Sequence, residues 1–115
     1  MEQKPKYYIK APYNDATEQK HPGSHVARVK VVADWLAANG YEVISPAPKN
    51  KREAKRIREE ALSCRNFRPY LLALDMRLIA DADVVYFAYG WRDDPELVLL
   101  HALLQYYGVC VDYEC

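Results

Sequence analysis

Four carboxylates lie in two short stretches whose composition suits acid–base or nucleophilic work. Asp75 sits in LLALDMRLI, and Asp93, Asp94 and Glu96 sit in GWRDDPELVLLHA. A carboxylate among apolar residues is costly unless it is paired, so Asp75 either turns to solvent beside Arg68 or points at a polar ligand. Asp93 and Asp94 precede Pro95, a residue suited to a first helical turn, so capping accounts for at least one of them. Glu96 lies one turn before Leu100, an offset of about 5.4 Å. Beyond it the helix runs Leu-Val-Leu-Leu, where a catalyst would aim a carboxylate. Asp81 and Asp83 read as turn formers.

Cations gather elsewhere, in residues 49–68. Lys49, Lys51, Arg52, Lys55, Arg56, Arg58, Arg65 and Arg68 face only Glu53, Glu59 and Glu60 there. The first part is helix-compatible but has little apolar stripe. A solvated helix or flap is the ordinary meaning of such a run. The second meaning is a lid over an anionic ligand, in which Arg52 and Arg56 would meet phosphate.

The elements that must position these groups alternate. Tyr7 to Lys10 reads as a strand, and Asp15 onward as polar chain. His25 to Asn39 reads as a helix capped near Ser24, with Val26, Val29, Val32, Trp35 and Leu36 on its buried face. Tyr41 to Ile44 is a second strand, Tyr70 to Ala80 a helix, and Val84 to Ala88 a continuous apolar strand of the doubly buried kind. Pro95 to Tyr107 is a helix apolar nearly all round, followed by Gly108 and a last strand over Val109 to Val111. This alternation predicts an α/β fold: a small Rossmann-like three-layer sandwich, about four parallel strands with helices on both faces. In such sheets ligands bind at the carboxyl ends of the strands, near the point where strand order reverses. Here those ends are Ala11-Pro12-Tyr13-Asn14, Ser45-Pro46 and Tyr89-Gly90-Trp91. The start of the first helix there favours an anion, and Trp91 is either a platform for a planar base or a packed indole.

Bulk composition excludes several classes. The chain has 115 residues, 16 Lys and Arg against 16 Asp and Glu, and half its residues apolar. That is one domain, residues 1–115, with a basic helical insert at 49–68. The balanced charge and the lack of interleaved aromatics in the basic run argue against nucleic acid. No apolar run approaches a membrane span, and no signal-peptide core opens the chain, so the reading is cytoplasmic. Cys64, Cys110 and Cys115 lack metal-ligand or disulfide spacing, and no metal or cofactor is implied. The ten tyrosines against two phenylalanines suit wet pockets and interfaces.

With these residues placed, the sequence resembles a small member of the nucleoside 2-deoxyribosyltransferase-like superfamily, in the style of short phage and bacterial domains. YYIKAPY resembles its opening strand, with Tyr8 at the usual tyrosine and Ala11 at the usual glycine. LAANGYEVISP resembles its helix end and second strand. LALDMRLIADADVVYFAYGW resembles its most recognisable block, and HALLQYYGVCV its closing helix, glycine and strand. The resemblance implies cleavage or exchange at an N-glycosidic bond, with a helix glutamate as nucleophile and aspartates on the sugar hydroxyls. It places Asp75 on the helix aspartate, Asp93 or Asp94 near the acidic residues before the last helix, and Tyr8 where a tyrosine positions the catalytic carboxylate. The chain departs from the pattern at the nucleophile, because Leu100-His101-Ala102 aligns with the family's glutamate motif.

The expectation is therefore a non-catalytic protein that senses or sequesters a nucleotide or nucleoside in a deoxyribosyltransferase-like pocket. Its ligand-binding residues would be Tyr8, Pro12, Tyr13, Asn14, Asp75, Gly90, Trp91, Asp93, Asp94, Arg52 and Arg56. One alternative is an N-glycosidase or deoxyribosyltransferase that uses Glu96 or an aspartate such as Asp75, with His101 as an acid–base group. The other is an interaction module with a vestigial pocket. Under all three, the helix of residues 95–107 needs a second cover, so the chain is expected to form a homo-oligomer through it.

Overall fold

The computed structural model describes residues 4–45 and 50–115. Pro46, at the expected carboxyl end of the second strand, and Lys49, the first cation of the basic run, lie outside the described residues. In chain order the elements are β1 (Lys6–Lys10), α1 (Asp15–Lys20), α2 (Ser24–Ala38), β2 (Glu42–Ile44), α3 (Lys51–Ser63), α4 (Phe67–Ile79), β3 (Val84–Phe87), α5 (Pro95–Tyr106) and β4 (Val111–Tyr113). None of these helices is long and apolar enough to cross a membrane. They fall into two compact units. One comprises residues 4–44 and 82–115, and the other residues 50–81.

The first unit is built on a four-stranded, all-parallel sheet in the order β2-β1-β3-β4. Side chains alternate across a strand, so β1 and β3 each supply both layers of core. Tyr7, Ile9, Ala11, Tyr86 and Ala88 face α2 and meet its Val32 and Leu36. Tyr8, Val85 and Phe87 are buried on the opposite face, where Phe87 meets His101 of α5 at a ring distance of 5.4 Å. Leu97, Leu100 and Leu104 form the inward seam of that helix at three- and four-residue steps. Helices thus cover both faces, as the alternating sequence pattern requires, and the fold is a small Rossmann-like α/β sandwich.

Several local expectations shift. The polar stretch after β1 contains α1, which has no buried face and is held by a cap in place of an apolar stripe. The Asn14 side chain accepts the Thr17 amide at 2.9 Å. In α2 the seam is Val32 and Leu36, flanked by Val29 and Ala33. Trp35 lies about 100° round from that seam at 3.6 residues per turn. It is 55 % exposed, and Val26 is exposed as well. The last strand begins two residues late. Gly108 takes a φ of +72°, and the Val109 amide bonds back to Leu104 at 2.9 Å. Val109 therefore completes the end of α5 before pairing can start.

The second unit is a helical pair. Asn50 caps α3 by accepting the Glu53 amide at 2.8 Å, and Pro69 is tolerated because it falls in the first turn of α4. Tyr70 of α4 donates to Glu60 of α3 at 2.8 Å. Burial, then that carboxylate, pushes the Tyr70 hydroxyl above its ordinary range.

Candidate functional site

Strand order reverses between β1 and β3, because the chain leaves β1 for β2 on one side and returns to β3 on the other. The carboxyl ends of these two strands open the crevice that open α/β sheets use for ligands. Four of the expected residues meet there. Gly90 takes a φ of +90°, a left-handed conformation that side chains resist, and it lies against Pro12. A Cβ built on Gly90 would stand 3.6 Å from Pro12 Cγ, which is ordinary contact, so the constraint is on the backbone and not on space. Asp94 joins the two strand exits. Its Oδ2 accepts the Tyr13 amide at 3.1 Å, and its Oδ1 accepts the amides of Glu96 and Leu97 at 3.0 and 3.4 Å. It is thus both the N-cap of α5 and the tie from the β1 exit.

The other expected residues are placed as follows. Trp91 follows Gly90, but its ring is packed: His101 lies at 4.5 Å, Phe87 at 5.1 Å and Tyr113 at 5.7 Å between centroids. The Arg92 guanidinium lies 5.4 Å from the Trp91 ring. Asp93 is exposed, and Asn14 is engaged as the α1 cap. Tyr8 is buried in the sheet, with the Lys10 ammonium 5.8 Å from its ring. Glu96 is exposed, while Leu100 is only 3 % exposed, on the inward seam of α5. Arg52, Arg56 and Asp75 belong to the second unit. Arg56 pairs with Glu60 one turn on at 3.3 Å, and Lys55 approaches Glu59 at 3.8 Å.

Two groups at this edge escaped the sequence reading. Glu18 reaches the start of α2, where it accepts the amides of Gly23 (2.7 Å) and His25 (3.2 Å) and the Ser24 hydroxyl (3.0 Å). Those bonds, led by the Gly23 amide, hold its carboxyl below the ordinary range. The anion favoured by that helix start is therefore the chain's own. Ser24 is the first helical residue, with Gly23 in the cap position. His25 donates Nε2 to the Ala11 carbonyl at 3.1 Å and sets its ring edge-on to Tyr13 at 5.5 Å. The sequence signal for both was present but weak: a histidine and a glutamate flanking the Pro-Gly-Ser loop.

A second cluster closes the ends of β3 and β4. Nε2 of His101 and the Tyr113 hydroxyl share a hydrogen bond of 2.5 Å beside Trp91. Burial, then the neighbouring Arg92, lowers the His101 pKa. Between that depressed value and the ordinary value of about 6.5 the unfolded chain binds more protons than the folded one. The contribution to stability is therefore complete above about pH 6.5 and is lost as pH falls through the folded value. We expect the urea midpoint to drop from about pH 7.5 to about pH 5, and His101→Gln to flatten that drop. An unchanged slope in the variant would remove His101 as its source.

Two shallow hollows are present, one at the amino ends of β1 and β2 and one beside Glu114, which follows β4. One of about 460 Å³ is lined by Lys4, Lys6, Tyr41 and Glu42, and one of about 160 Å³ by Val31, Val32, Trp35, Tyr86 and Glu114. Among the described residues, no three His, Cys, Asp or Glu side chains are grouped to hold a metal ion. The fold is that of a doubly wound α/β protein whose strand order reverses between β1 and β3. No family model, curated protein or solved structure matches the chain.

Proposed function

We propose that this chain binds a nucleotide or nucleoside at the carboxyl edge of its sheet and leaves it intact, so that it senses or sequesters its ligand. The observation that carries this reading is Leu100. The family resemblance calls for a nucleophilic carboxylate at this position, and the residue is a leucine on the inward seam of α5. Glu96, the nearest acidic residue on that side of the helix, lies one turn away in its first turn. An offset of about 5.4 Å exceeds the tolerance of a near-attack geometry. Asp94 has both carboxylate oxygens on backbone amides. A bound ligand would be met by Pro12, Tyr13, Gly90 and Asp93 at the carboxyl edge of the sheet. The proposed macromolecular partner is a second copy of the chain.

Mass spectrometry after exposure to a mixed pool of nucleosides, nucleotides and cyclic nucleotides tests the reading. An intact nucleotide should be recovered in stoichiometric amount, with no free base in the pool. Free base accumulating in the pool, and abolished by Glu96→Gln, would overturn it in favour of a glycosidase.

A further inference from the structure

A carboxylate of the chain is seated at the carboxyl end of β3. Glu114 follows β4, and its amide donates to the Phe87 carbonyl at 2.9 Å, so its backbone is held beside the strand exit. Its Oε1 atom accepts the Tyr89 amide at 2.8 Å and also pairs with the Arg28 guanidinium of α2. The Ala88 amide makes the last bond from β3 to β1, to the Lys10 carbonyl at 2.9 Å. The Tyr89 amide is the next donor along the chain, just beyond that ladder. A guanidinium and a backbone amide thus converge on one oxygen from two different elements. Such donors suit carboxylate and phosphate oxygens alike.

We propose that Arg28 and the Tyr89 amide form a phosphate-binding site at this sheet edge, and that Glu114 is a plug that a ligand's phosphate displaces. This rests on the nucleotide reading above and supplies its phosphate contact and its regulation. Three observations support it. The first is place: open α/β sheets bind ligands at the carboxyl ends of their strands, and Tyr89 directly precedes Gly90, which lies against Pro12. The second is space. Glu114 forms one wall of the hollow of about 160 Å³ whose other walls are Val31, Val32, Trp35 and Tyr86. Ordinary ligand pockets are larger, roughly 300 Å³ or more, so the hollow is closed with Glu114 in place and extends toward Arg28 once it turns out. The Trp35 and Tyr86 rings, 6.4 Å apart, give the rest of the ligand an aromatic wall. The third is strength. The Arg28 and Glu114 side chains are 39 % and 26 % exposed, and a partly screened ion pair is weak enough to be displaced. Because the Glu114 backbone is tied to Phe87, opening needs only a side-chain rotation. Asp112, the neighbouring carboxylate, is exposed and accepts the Tyr113 amide at 2.9 Å, so water screens it from an incoming anion.

NMR titration of the ¹⁵N-labelled chain with inorganic phosphate, and then with the four ribonucleoside monophosphates, tests the plug. A plug lowers apparent affinity by the fraction of molecules in which it is closed. Glu114→Ala should therefore bind phosphate about 3- to 10-fold more tightly than the parent, with the Tyr89 amide signal moving to saturation. Glu114→Gln keeps an acceptor oxygen but no charge, and should fall between the two. It also serves as the open form if the alanine variant does not fold. Adding Arg28→Ala to either variant should abolish the gain. Phosphate affinity unchanged by both Glu114 substitutions, or saturation that leaves the Tyr89 amide unmoved, overturns the proposal and makes Glu114 a structural tie. The two readings fail separately. Phosphate at Tyr89 with no nucleotide retained would sink the nucleotide reading and keep the anion site. A nucleotide bound equally well by the parent, Glu114→Ala and Arg28→Ala would sink the plug and keep the nucleotide reading.

Discussion

Asp94→Ala should lower the unfolding free energy by about 2–3 kcal/mol and the melting temperature by about 10 °C. Two losses combine. The N-cap of α5 disappears, which costs about 1 kcal/mol in comparable helices. The Tyr13 amide also loses its carboxylate acceptor, a charge-assisted bond whose usual worth is reduced here by partial exposure. That second bond joins residues 81 positions apart, so its removal loosens the β1 exit from the start of α5. Asp94→Asn keeps an oxygen for the cap but has none left for Tyr13, and about half the loss is expected. Urea unfolding at neutral pH measures both. A value for Asp94→Ala within about 0.5 kcal/mol of the parent would mean that the tie contributes nothing.

Leu100 supports the second large effect. Truncation to alanine leaves a cavity on the inward seam of α5 and should cost about 3 kcal/mol. Leu100→Glu restores the residue type that the family resemblance calls for, but it places an unpaired carboxylate in the core. That should cost about 5 kcal/mol or more, enough to unfold much of a domain of ordinary stability. Far-UV circular dichroism should show the glutamate variant largely unfolded and the alanine variant folded with a reduced urea midpoint. A glutamate variant that stays within about 1 kcal/mol of the parent would place position 100 against water or a ligand space. If such a variant also released free base from a nucleoside, the absent nucleophile would be the one thing separating this chain from a catalyst.

Much of the fold was written in local chain pattern. The doubly apolar run Val84 to Ala88 marked a central strand, and the alternation of elements required parallel pairing. The strand exits at Pro12, Tyr13, Gly90 and Trp91 therefore follow from the chain pattern alone. That Asp93 or Asp94 caps this helix was readable, because aspartate before proline at a helix start is a local signature. The bond from Asp94 to Tyr13 was not, since no local pattern reports on an amide 81 residues away. The α1 helix was missed for a related reason: it has no buried face, so it leaves no periodic trace. Trp35 was misplaced because a three-residue step is compatible with two adjacent faces of a helix, and only the packing of Val32 and Leu36 chooses between them.

The same division holds for the site. Residue types, strand succession, the neutral charge balance and the absence of a carboxylate at position 100 are properties of the sequence by itself. The tertiary structure decided how those groups are used. It set β1 beside β3 and so brought their carboxyl ends together. It gave the start of α2 to Glu18, packed Trp91 against His101 and Tyr113, turned Leu100 inward, and left the Ala102 face of α5 open. Each of these depends on which surfaces meet across long stretches of chain. Periodicity and propensity report only on neighbours along it, so they cannot specify that.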